Sequence, residues 1–150
     1  QGGDWPSTVP GSCELHCRLS FYPGQSVAET RAAIEAAMHE AAQGDEWLRE
    51  HPPIITYDGF GSAGSEVSMT EPSVQMLAGW HTRVTGVPMD PRSGTGINDM
   101  RYFNFRGMPA GCYGADGAAG HAADEWLDLR SLAPTAKVLG AFLLDWCGVA

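Results

Sequence analysis

Lysine is nearly missing from this chain. Lys137 is its one occurrence among 9 basic residues, and the arginines are scattered. The net charge is −9. With no Lys/Arg cluster to neutralise phosphates, nucleic acid is excluded as a partner. Long apolar runs are also missing, so no segment reads as a bilayer span and no membrane partner is expected. The opening QGGDWPSTVP has neither the basic nor the apolar region of a signal peptide. It lacks an initiator Met and starts abruptly, which reads as a fragment or a processed piece.

Several chemical signatures are absent as well. There is no G-x-S-x-G, which argues against a serine-hydrolase elbow. There is no P-loop, no H-E-x-x-H and no C-x-x-C. G-x-G occurs at Gly59–Gly61 and at Gly94–Gly96, but neither opens a G-x-G-x-x-G on a strand-to-helix turn, and both read as plain turns. Of the four cysteines, Cys13 and Cys17 lie four apart in a strand-like run, roughly 13 Å along it. That is too far for a disulfide. All four cysteines read as small buried hydrophobes in a reducing compartment, hence a cytoplasmic protein.

What is present is ordinary globular material. The 150 residues are 43% hydrophobic and 18% charged, enough for one domain or two small ones. Residues 12–22, SCELHCRLSFY, alternate with period two and read as a half-buried strand ended by Pro23-Gly24. Ser26 and Glu29 form a capping box for a helix to about Gln43, with Val27, Ile34, Met38 and Ala41 as its apolar stripe. Gly44 suits its C′ position. Asp45 caps a short turn carrying Trp47 and Leu48, which Pro52-Pro53 stops. Residues 54–57 read as a second strand, and 66–69 continue as strand after a flexible GFGSAGSE link.

Composition shifts near Thr70, the expected N-cap of a helix with Pro72 in its first turn. Val74, Leu77, Ala78 and His81 line its apolar face, and Gly86 closes it. His81 reads there as a satisfied core histidine. Residues 87–98 form a long Gly/Pro/Ser/Asp loop, and Asp99 to Phe105 one short helix. Residues 108–114, MPAGCYG, read as a short buried strand. The last helix is expected to start near Pro134, with Val138, Leu139, Phe142, Leu143 and Trp146 as its stripe and Gly148 at its end. The alternation of these elements points to an α/β class.

Loops after strand ends are the usual place for sites in α/β layers. Residues 93–99 running into Arg101, and 114–125 around His121, are the two that qualify. His121 follows Gly117, Ala118, Ala119 and Gly120 and precedes Asp124 and Glu125. The spacing leaves two readings open, a metal ligand with a nearby carboxylate acceptor or an ordinary loop histidine. A single ligand does not hold zinc.

Three stretches carry a family resemblance: GGDWPSTVPGSCELHCRLSFYPG, GINDMRYF and MPAGCYGADGAAGHAADEWLDLRSL. Together with the terminal DWCG they resemble the zinc-dependent deacylases that include acetylornithine deacetylase and succinyl-diaminopimelate desuccinylase. The resemblance implies a partial ferredoxin-like α+β lid over residues 1–69, lacking its first strand and able to make a homodimer. It implies that residues 70–150 are the C-terminal part of an α/β metallohydrolase catalytic domain. Two Zn2+ or Co2+ ions would activate a water for attack on an amide, with His121 as one metal ligand. Arg101 would hold the carboxylate of a small N-acyl amino acid, while Asn98 and Asp99 shape its loop and Gly114 lets the backbone approach substrate. Ala115 stands where the family commonly has Pro, and Asn98 where it has Thr or Ser. The bridging aspartate, the catalytic glutamate and the remaining ligands would lie upstream of Gln1. A metallopeptidase or carbamoyl-amide hydrolase of the same family is an alternative. So is a non-catalytic interaction module dimerising through residues 12–22.

Overall fold

The structure is a computed structural model and describes residues 2–3 and 5–149. Ser26 starts the first helix, α1 (Val27–Gln43). Its hydroxyl accepts from the Glu29 N–H at 3.1 Å, and the Glu29 carboxylate accepts from the Ser26 N–H at 2.8 Å. The expected capping box is therefore built in full. Gly44 caps the other end in a right-handed conformation (φ −73°), so no left-handed turn is used there. Val27 and Ile34 are half-buried, Met38 is exposed, and Ala42 rather than Ala41 is the buried residue of the stripe. Asp45 caps α2 (Glu46–Glu50) by accepting from the Leu48 N–H at 2.8 Å. α2 packs against α1.

Helix α3 (Pro72–Thr85) starts one residue later than expected. Pro72 sits at the first helical position, which makes Glu71 the N-cap instead of Thr70. The Thr70 hydroxyl pairs with Ser68 Oγ at 2.8 Å instead. Val74, Leu77, Ala78 and His81 are all half-buried, and Gly86 ends the helix with φ 79°, as the apolar spacing implied. α4 (Met100–Asn104) is the expected short helix. The last helix, α5 (Leu129–Cys147), differs from expectation at its start. The Asp128 carboxylate accepts from the Arg130 N–H and begins the helix there, leaving Pro134 inside it. α3 packs along α5, where Val138 is fully buried.

The only paired strands among the described residues are β1 (Gly117–Ala118) and β2 (Trp126–Leu127), an antiparallel hairpin with Gly117 opposite Leu127. The strands expected at 12–22, 54–57, 66–69 and 108–114 are not formed. Cys13 makes one isolated bridge to Gly2, and the rest of 12–22 has no ladder. Alternation favours a strand only when a neighbour satisfies its backbone and a second layer covers its apolar face. Neither exists for these segments among the described residues. The cysteines follow: all four are free, as expected, but all are exposed rather than buried.

The chain exposes 12010 Å2. A compact monomer of 16.0 kDa would expose roughly 7,400 Å2 by the usual size scaling. The excess is apolar to a large extent, because Leu15, Leu19, Ile54, Phe60, Leu129, Leu144 and Trp146 are each more than about half exposed. The general class is mixed α and β, with two helix pairs and one small hairpin. No helix among the described residues is long and apolar enough to cross a membrane.

Candidate functional site

Arg101 is the one buried charged residue among those described, with 7% of its surface exposed. Short helix α4 holds it. The guanidinium donates to the Asn98 carbonyl and to the Tyr102 hydroxyl, both at 2.8 Å. It also lies 4.4 Å from the Tyr102 ring centre and 5.2 Å from that of Phe60. No carboxylate pairs with it among the described residues. A buried cation without a counter-ion is costly unless hydrogen bonds and aromatic faces replace water. The carbonyl, the hydroxyl and the two rings do that here, and three of the five guanidinium N–H groups remain for an anion or a neutral acceptor.

The neighbours named with Arg101 serve this loop. Asn98 accepts from Arg101 through its carbonyl and from the Met100 N–H through Oδ1, at 3.1 Å. Asp99 is the N-cap of α4 but makes no side-chain cap bond. Asn104, at the end of α4, pairs with the Ala110 backbone in both directions, at 2.8 and 3.0 Å, and donates to Ser65 Oγ at 3.3 Å. These bonds tie α4 to the segment that leads to Gly114.

Gly114 itself is open: a Cβ built there would meet nothing within 4 Å. No neighbouring atom there demands glycine. His121 lies in the loop between β1 and β2, exposed, with a left-handed φ of 66°. Its N–H is 3.3 Å from Glu125 Oε2. Ala119, two residues earlier, is also left-handed at φ 59°. A left-handed backbone at two non-glycine residues is strained, and such strain recurs at binding loops.

Arg101, Asn98, Asp99 and Tyr102 thus come together, while Gly114 lies before the hairpin and His121 in its loop. α4 and the hairpin do not pack on each other. No group of three His, Cys, Asp or Glu side chains among the described residues is arranged to hold a metal ion. His121 is therefore the single expected ligand among the described residues, and the rest of a two-metal set would have to come from outside this chain.

Two deformylases match the chain almost end to end. Each is an N-formyl-4-amino-5-aminomethyl-2-methylpyrimidine deformylase, one from Halalkalibacterium halodurans and one from Bacillus subtilis. Each is 24% identical over 156 residues, covering 98% of this chain. The chain spans little more than a third of their length, 36% and 37%. No family model matches it. These relatives overturn the expected kinship with acetylornithine deacetylase and succinyl-diaminopimelate desuccinylase, since they are named as pyrimidine deformylases, a different family. The three quoted stretches carried too little substrate information to separate one amide hydrolase from another.

Four residues that hold these segments carry no signal in the sequence, Tyr113 among them through a bond to His81. Phe60 sits in a Gly-rich link and gave no periodic signal. Tyr102 stands beside Arg101 with no pattern to mark it. Asn104 lies in α4 as an ordinary helix residue. Tyr113 falls in 108–114, where a strand is expected and none forms.

Proposed function

We propose that this chain is part of an amidohydrolase that removes a formyl group from an amine. Water adds to the formyl carbon, the C–N bond breaks, and formate and a free amine leave. The observation that carries this reading is the match of 98% of the chain to two deformylases. In it, Arg101 receives an acceptor group of the substrate through its uncommitted N–H groups, with Asn98 and Asp99 holding the loop. Gly114 gives the substrate room beside the backbone. The substrate is a small N-acyl amine; the N-acyl amino acids expected from sequence belong to the same chemical class.

Residues 1–69 and 70–150 act as two units in this reading. The absence of packing between the α1·α2 pair and the α3·α5 pair supports that division. The large uncovered apolar surface supports further polypeptide of the same enzyme lying over both. Zn2+ or Co2+ would need most of its ligands from that polypeptide, and His121 is the ligand this chain would supply.

The test is formate release by the full enzyme containing this chain, given N-formyl aminomethylpyrimidine and, separately, N-acetyl amino acids. Formate from the first, reduced at least tenfold by Arg101→Ala, is the expected result. Acetate from the second with no formate from the first would overturn it. The exposed alternating segment 12–22 favours a second reading, an interaction module. Metal-free dimerisation through that segment without formate release would establish it.

A further inference from the structure

Tyr113 and His81 meet across 32 residues of chain, one in the segment before the hairpin and one on α3. The Tyr113 hydroxyl lies 2.7 Å from His81 Nδ1, and the two rings meet edge-on with centres 5.8 Å apart. Burial, and then the nearby Asp116 charge, push the Tyr113 phenol above its ordinary range. The hydroxyl and Nδ1 share one hydrogen bond, whose donor is set by the imidazole tautomer. Three residues on, Asp116 is held by the start of α5. Its N–H donates to Ser131 Oγ at 2.8 Å, and its carbonyl accepts from the Asp128 N–H at 2.8 Å. Residues 113–116 are thus fastened at one end to α3 and at the other to α5, two helices that pack on each other. Gly114 lies between the fastenings, and the hairpin carrying His121 starts directly after them.

We infer that His81 is a positioning residue: by holding the Tyr113 hydroxyl it fixes segment 113–116, and with it the place of Gly114 and the aim of the His121 hairpin. The bond satisfies the imidazole, as a core histidine requires, and its further effect comes from where Tyr113 lies in the chain. The role in turnover rests on the deformylase reading, but the positioning does not.

The experiment compares His81→Leu, His81→Asn and Tyr113→Phe in the full protein. Asparagine places an amide oxygen close to where the imidazole holds Nδ1, so it accepts from Tyr113. The first readout is backbone amide hydrogen exchange, resolved along the chain. Losing one hydrogen bond should speed exchange across residues 113–128 by roughly tenfold in His81→Leu and Tyr113→Phe. α1 should be unchanged, and His81→Asn should restore slow exchange. Unchanged exchange in 113–128 would overturn the inference. Equal acceleration in α1, or His81→Asn as fast as His81→Leu, would do so too. The second readout is formate release, where kcat should fall in His81→Leu and recover in His81→Asn. If the enzyme releases no formate at all, the deformylase reading fails while the exchange data still decide the positioning.

Discussion

Replacing Arg101 by lysine keeps the charge and removes the fork. The wild-type guanidinium is 7% exposed and makes two bonds at 2.8 Å, one to the Asn98 carbonyl and one to the Tyr102 hydroxyl. A lysine ammonium reaches one of these acceptors at a time and loses the planar contact with Phe60 and Tyr102. One charge-assisted hydrogen bond contributes about 1.5–3 kcal/mol, and a desolvated cation–aromatic contact about 0.5–2 kcal/mol. Lysine recovers part of the second quantity. The expected loss is about 2–3 kcal/mol of folding stability, roughly 30- to 140-fold in the unfolding equilibrium. Urea unfolding followed by tryptophan fluorescence measures it, with an unchanged slope against denaturant as the check on two-state behaviour. Arg83→Lys is the control, because Arg83 also lies over a ring, Trp80 at 4.8 Å, but on the exposed side of α3. The control should change by no more than about 0.5 kcal/mol. Equal small losses in both variants would refute the view that Arg101 braces its loop through its fork.

The remaining predictions concern the hairpin and acid stability. Ala119→Gly should raise the melting temperature, since a left-handed L-residue costs about 1–2 kcal/mol and glycine returns part of that as unfolded-state freedom. Gly117→Ala should lower it by an amount equivalent to about 1–3 kcal/mol, because the new Cβ would lie 2.5 Å from the Trp126 carbonyl oxygen; calorimetry on both variants decides. On acidification, α1 should lose helicity. The Ser26 backbone N–H first, and then its hydroxyl, hold Glu29 below its ordinary value, and the Arg130 guanidinium and N–H do the same for Asp128. A lowered carboxylate contributes stability that is complete above its unfolded value, about pH 4, and is lost as pH falls through the lower folded value. Circular dichroism from pH 6 to pH 2 should show this step shrinking in Glu29→Gln, which removes the titrating carboxylate, and an unchanged step would count against the capping box as its source.

Local chemistry was legible in the sequence wherever one residue answers another a few positions away. The Ser26–Glu29 box, the Asp45 cap, Pro72 at the start of α3 and Gly86 at its end all form. Each depends on backbone groups within one helical turn, so no distant part of the chain can overrule it. Even here the shift from Thr70 to Glu71, and from Pro134 back to Asp128, shows that boundaries follow whichever cap is satisfied first. The candidate site was legible only as residue types: Arg101 and His121 stood out as a lone fork and a lone imidazole in their loops.

Amino-acid order alone determined the main helices, the Ser26–Glu29 box, the Asp45 cap and the net acidity of the chain. Tertiary structure decided the rest. It buried Arg101 between Phe60 and Tyr102, linked His81 to Tyr113, and turned His121 outward on a strained hairpin. It also left the alternating segments without ladders. The physical reason is the range of the interactions: a helix satisfies its own backbone within four residues, whereas a strand or a buried charge takes its partners from remote chain, which no local pattern encodes.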